Sequence, residues 1–255
     1  MHDHILSLQP DLTTGHILLF FSLALIVGMS KAGLTGLGLV ASPAMAIIFG
    51  ARESTGILLP MLLTADIMSV LYYRRHAEWK YIIRVIPWVA AGIGAATITG
   101  SRINENQFRI LLLTAVWSML ILMIVNDLWK RKQESIPGNH FFAPLMGLAG
   151  GFATMIGNAA GPVFNLYFLA MRLPKKVFIG TGAWLFLIMN SGKLPLHLFV
   201  WKTITVNTLL LNLLAVPVIA AGIVAGIWLV RLFPEKIYRL FVIITTLSTS
   251  VLLFL

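Results

Sequence analysis

The 255-residue chain has no cysteine and little charge: only 11% of its residues are charged, and its acids number nine. Without cysteine there are no disulfides and no thiol chemistry. So little charge cannot cover a water-facing surface, which excludes an ordinary soluble domain. No hydrophilic stretch is long enough to fold alone, so residues 1–255 are expected to form a single domain within a bilayer. No Walker sequence, nucleophile elbow or zinc signature occurs. An intramembrane hydrolase would need a Ser/His or paired-Asp constellation at depth, and Asp66 is the one acid there. No enzyme, cofactor or metal site is therefore expected. His2, His4 and His16 have no carboxylate or thiol pattern around them to make a metal site. The N-terminal MHDHILSLQPDLTTGH carries no Lys or Arg and so lacks the basic region of a signal peptide.

What the chain has is apolar length. Hydrophobic residues make up 58%, and mean hydropathy is +0.90. A membrane span needs about 20 apolar residues at 1.5 Å each, so an all-α integral membrane protein is expected. The formal charge of +10 sits mostly in short loops between apolar runs. There it reads as a topology signal and as lipid-headgroup contact, not as a nucleic-acid surface.

Apolar helices are expected at about 14–31, 34–50, 55–73, 81–100 and 106–126, and after a polar loop at about 141–157, 159–171, 178–199, 204–230 and 236–255. The pair at 141–157 and 159–171 is too short for two crossings. It reads as a hairpin whose tip stops inside the membrane, and 14–50 reads the same way by analogy.

Two glycine-rich stretches mark the hairpins. GMSKAGLTGLGLVASP runs from Gly28 to Pro43, and GLAGGFATMIGNAAGP from Gly147 to Pro162. Gly28, Gly38 and Pro43 fall on Gly147, Gly157 and Pro162 at one offset. Further on, Pro87 and Gly92 match Pro217 and Gly222 at a longer offset. At that same offset Asn104, Glu105, Phe108 and Arg109 match Pro234, Glu235, Tyr238 and Arg239. Matched blocks in the same order point to duplication: one repeat at about 14–126, a linker at 127–140, and a second repeat at about 141–255. Exposed backbone is intolerable in lipid, so paired glycine-rich breaks should line a protein-buried cavity.

Loop charge gives the orientation. Thirteen Lys and Arg residues, among them Arg74, Arg75, Lys130, Lys175 and Arg231, fall in one set of loops. Only Arg52, Arg102 and Lys202 fall in the other. By the positive-inside rule the 127–140 loop is cytoplasmic and the termini are external. Each repeat, a broken-helix hairpin and three transmembrane helices, then crosses an odd number of times. The two repeats are expected to have inverted topology, which is a transporter architecture.

Two glycine-rich motifs, each early in a half and each ending near a proline, joined by a basic loop, resemble the TauE/SafE family of sulfite exporters. The resemblance covers nearly the whole chain. Family members typically carry a denser GxGGG run than GLTGLGLVASP and GNAAGP here. The resemblance implies transport of sulfur-containing anions such as sulfite or organosulfonates, or of related small carboxylates, across the bacterial inner membrane. Energy would come from a proton or sodium gradient or from the substrate's own gradient. An anion channel is the rival reading. A homodimer stays open.

The breaks supply the candidate substrate site: Lys31, Gly33, Thr35 and Gly36 in the first, Thr154, Gly157, Asn158 and Asn165 in or beside the second. A cation beside free helix amides attracts anions, and hydroxyl and amide groups can donate to sulfonate oxygens. The bland reading is a snorkelling lysine and side chains that satisfy broken backbone. Asn190 and Lys193, with Ser191 and His197 nearby, add a second cluster at depth. Asp66 is the candidate proton-coupling residue: it is expected either to pair with Lys193 in the empty site or to take up a proton when the anion binds. The alternative is a fixed structural Asp66–Lys193 pair. Asn207 and Asn212 read as helix-packing residues, and Trp79, Trp88, Trp129, Trp201 and Trp228 as interface anchors.

Overall fold

A computed structural model describes residues 13–35, 37–104 and 141–234, with isolated positions at 106, 107, 110, 111, 114 and 237. Gly36, Trp129, His2, His4, the 127–140 loop and most of the helices expected at 106–126 and 236–255 lie outside the described residues. So do the matched positions Glu105, Phe108, Arg109, Glu235, Tyr238 and Arg239.

Among the described residues the chain is helical throughout, with no strand. The helices are α1 (Thr14–Lys31), α2 (Ala41–Phe49), α3 (Ala51–Tyr73), α4 (Trp79–Arg102), α5 (Phe142–Gly157), α6 (Gly161–Ala170), α7 (Lys175–Pro195) and α8 (Val206–Leu232). Five segments are long and apolar enough to cross a membrane: α1, α4, α8, and α3 and α7 with their short extensions. Their outer faces carry more-than-half-exposed Leu71, Ile83, Ile98, Leu213 and Val224, as lipid-facing helices require.

The helix expected over 34–50 is interrupted. Residues Leu37–Val40 form a 3₁₀ turn, and only nine residues are α-helical after it. At 1.5 Å per residue, α2 spans about 14 Å, too little to cross. The ten-residue α6 falls short likewise. Local chemistry explains both stops. Gly33, at φ 119°, closes α1 with its N–H on Ser30 O, while Leu34 N–H reaches back to Met29 O. That is a Schellman arrangement, and it needs a residue that tolerates positive φ. Asn158 closes α5 in the left-handed region at φ 53°, a conformation Asn tolerates better than most residues.

Two helix seams repeat one design. On one, Gly222 meets the Leu25 carbonyl and Gly226 the Met29 carbonyl, so α1 and α8 run parallel. On the other, Gly147 meets the Val85 carbonyl and Gly151 the Val89 carbonyl, so α5 and α4 run parallel as well. In each, a Cβ on the glycine would collide with backbone, the close approach that small-xxx-small spacing permits. This corrects the reading of Gly28 and Gly147 as part of the breaks. Both lie within helices and serve packing, and the breaks are confined to the residues after Lys31 and after Gly157. It also shifts the register: Gly28 packs on Gly222 and Gly151 on Gly92. The packing counterpart of Gly28 is thus Gly151, one turn beyond Gly147.

Two loop cations also do structural work. Arg52 at the start of α3 donates to Gly100 O (2.7 Å) and Ile103 O (2.5 Å) at the end of α4. Lys175 at the start of α7 donates to Val230 O (3.0 Å) and Phe233 O (2.6 Å) at the end of α8. Each satisfies helix-terminal carbonyls and a negative dipole end, so these two are more than topology signals. Asn212 holds α8 to α3 through Ile57 O at 3.0 Å. Trp201 is not an interface anchor. It is buried against Gly100, with Nε1 donating to Ser101 Oγ at 3.0 Å. Trp79, Trp88 and Trp228 are exposed.

Candidate functional site

The two breaks and the middle of α7 enclose a cavity of about 80 Å³. At about 30 Å³ per water in the liquid it has room for roughly three waters, the size of a small anion. Part of the lining is polar: Lys31, Thr35, Thr154, Asn158, Asn165 and Asn190. Part is apolar: Val27, Leu62, Phe168, Phe178, Ile179 and Phe186. Gly33, Gly38 and Gly161 also reach the wall. Most of the residues expected from the sequence are thus brought together, although they come from distant parts of the chain.

Three expected residues stand elsewhere. Gly157 is buried as the last residue of α5 and is not part of the wall. Lys193 and Asp66 are fully buried behind the wall. The expected contact between them is absent. Asp66 Oδ1 instead lies 2.8 Å from Lys31 Nζ, and Asp66 Oδ2 accepts from Asn190 Nδ2 at 2.6 Å. The reason is reach along α7. Asn190, one turn before Lys193, fills the place beside Asp66, and the Lys193 stem points on to the second break.

There Lys193 Nζ donates to Thr154 O and Thr154 Oγ1, both at 3.0 Å, and to Asn158 Oδ1 at 2.6 Å. Asn158 therefore has two tasks. Its backbone stops α5, and its side chain links Lys193 to the Thr55 carbonyl of α3, through Nδ2 at 3.2 Å. At the first break Ser69 Oγ donates to Lys31 O at 2.7 Å and Tyr73 Oη to Ala32 O at 3.1 Å. Ser30 Oγ takes the Gly38 N–H at 3.1 Å.

Lys31 faces the cavity from a guarded position. Its ammonium lies 4.1 Å from the centroid of the Phe186 ring, a favourable cation–π placement. The cavity is also lined by Gly161, where α6 begins. The amides of Gly161 and Val163 have no acceptor within that helix, and Pro162 has no N–H. The positive end of a helix dipole thus joins Lys31 on the wall, a combination that favours negative charge.

The sequence reading placed Ser30, Gly38 and Gly161 in the stretches expected to line the cavity without naming them as binding residues, and it missed the aromatic part of the wall. The signal for part of it was present: Gly182, Phe186, Asn190 and Lys193 recur at helical spacing on one face of α7, and His197 follows at the same spacing just beyond it. His197 is fully buried, with Nδ1 2.8 Å from Thr203 Oγ1. It sits in a five-residue π-helical stretch, Leu196–Val200, after Pro195. His16 is accounted for as a cap, exchanging hydrogen bonds with Thr13 at the start of α1.

A family model described as Sulfite exporter TauE/SafE matches residues 20–253. No curated protein and no solved structure matches.

Proposed function

The chain belongs to the TauE/SafE sulfite exporter family, a family of membrane transporters and not of enzymes, and from that premise we propose a secondary transporter of small sulfur-containing anions, sulfite or organosulfonates, working by alternating access. One observation carries the reading. A small cavity deep among apolar helices is lined by a cation, a helix N-terminus and four neutral donors. An anion entering it meets Lys31, the α6 amides and Thr35, Thr154, Asn158 and Asn165, while Asn190 holds Asp66 in place. Lys193 acts one layer back by fixing Thr154 and Asn158.

The substrate anion competes with Asp66 for Lys31. Asp66 gives up the ion pair and takes a proton, since two anions cannot share one ammonium at that depth without a large cost. Proton and anion thus move together. The repeated seams and caps support an inverted two-repeat scaffold forming one domain. In it the chain is a multi-pass protein of the cell membrane, with Lys176 on the cytoplasmic side and Lys202 external. Single cysteines at these two positions, labelled with an impermeant maleimide, test the orientation. Labelling of Lys176→Cys in intact cells would overturn it.

The rival channel is disfavoured because, beyond Asn190, the polar stripe that runs along α7 and its π-helical extension is fully buried at Lys193 and His197. Proteoliposome flux decides between them. Saturable uptake of sulfite, sulfoacetate or taurine, competed by its unlabelled form, supports the transporter. Uptake linear in concentration supports the channel, and preference for simple carboxylates moves the substrate class. Asp66→Asn should retain anion binding but lose the dependence of flux on a proton gradient.

A further inference from the structure

Lys193 is a cation with no carboxylate in contact. Its partners are three neutral oxygens: a main-chain carbonyl, a hydroxyl and a side-chain amide. Burying an ammonium without a counter-ion costs several kcal/mol, so the charge needs a reason. Holding a break in place does not supply one. Ser69 stands 124 positions before Lys193 and donates to the carbonyl of Lys31, and Lys31 stands 123 positions before Thr154. At the first break a hydroxyl does for a main-chain carbonyl what an ammonium does at the second.

The geometry suits the charged form. An ammonium has three donors, and Nζ has three acceptors at 3.0, 3.0 and 2.6 Å. A neutral amine would donate to two of them and accept from the Thr154 hydroxyl, the one partner that can also donate, whereas the ammonium donates to all three. The cage also lies at the C-terminal end of α5, where the last carbonyls carry the negative end of the helix dipole. Broken half-helix ends with free carbonyls are the places where secondary transporters hold a coupling metal cation.

We propose that Lys193 is a tethered replacement for such a cation. Its ammonium fills an oxygen cage formed by Thr154 and Asn158 and keeps positive charge behind the anion cavity. Transport therefore needs no sodium or potassium ion. The cage is a latent alkali-cation site that emptying position 193 would open. The titratable groups around it are Asp66, held by Asn190 one turn back, Lys31, which pairs with Asp66, and the imidazole of His197 one turn on. Neither lysine is bonded to the other's acceptors.

The proposal has an arm that does not depend on the identity of the transported anion. Purified protein is melted in sodium, potassium and choline chloride at equal ionic strength. Wild type should melt at the same temperature in all three. Lys193→Ala should melt lower in choline and recover most of the loss in sodium or potassium. Lys193→Met, whose longer side chain fills the cage, should be low in all three. A folded Lys193→Ala protein indifferent to alkali cations overturns the proposal.

Wild-type flux in liposomes supplies the arm that rests on the transporter reading, and it stands if Lys193→Ala does not fold. Flux equal with choline and with sodium on both sides supports the proposal. Flux that requires sodium or potassium overturns it. No flux of any anion tested, together with alkali rescue of Lys193→Ala, upholds the cage and rejects the transporter reading instead.

Discussion

Lys31 and Lys193 sit at the two breaks and are handled in opposite ways. Lys31 reaches the cavity, and its charge is matched by Asp66 at 2.8 Å. Lys193 is sealed from the cavity, and its charge is matched by nothing ionic, although its hydrogen bonds are complete. A charge held by a carboxylate can be exchanged for another anion. A charge held by neutral oxygens cannot be exchanged, but it stays in place as a fixed potential. Under the proposed transport function, ligand exchange falls to the first break and support to the second.

The largest effect expected from breaking this contrast is at Lys31. Lys31→Met leaves Asp66 buried beside Asn190 alone and should cost about 3–5 kcal/mol, read as loss of folded protein in detergent. Adding Asp66→Leu should restore folding without restoring flux, because the apolar pair removes the orphaned charge and the anion's partner together. If flux returned with folding, Lys31 would be structural and the exchange at the first break would be wrong.

Next come the seams that place the two breaks. Gly151→Ala and Gly222→Ala each drive a methyl into backbone of the facing helix and should each cost about 1–3 kcal/mol. Gly94→Ala has open space around it and should change the melting temperature little. Equal losses at the two seams would sharpen the view that they are one design used twice. A loss at only one would mean the halves have diverged in what they bear.

The smallest effect concerns Ser69. Ser69→Ala removes one neutral hydrogen bond to Lys31 O and should cost about 1 kcal/mol with flux largely kept. Ser69→Lys places an ammonium at the position equivalent to Lys193. Beside Lys31 it meets like charge instead of an oxygen cage, so it should destabilise more than Ser69→Ala in the same melting assay. A stable Ser69→Lys protein would show that the two breaks are interchangeable.

Much of this was legible in the residues. Apolar runs near 20 residues place the long helices to within a few positions, because length and hydropathy are local properties. Glycine-rich interruptions locate the cavity, since only small residues and polar side chains tolerate a break at depth. Thr35, Thr154, Asn158, Asn165 and Asn190 all reach its wall. The partner of each charge was not legible. Asp66 lies 35 positions from Lys31 and more than 120 from Lys193, and nothing in the spacing ranks one above the other.

The sequence by itself determined that the chain is an apolar helical protein with two small-residue breaks, and that its few buried charges must meet partners. Periodicity and the cost of bare backbone in lipid are enough for that. Which carboxylate meets which lysine, which glycines pack and which bend, and where an arginine caps a distant helix were decided by tertiary structure alone. Each depends on the rotation of one helix against another. A single turn of register, as between Gly147 and Gly151, changes every partner along the seam.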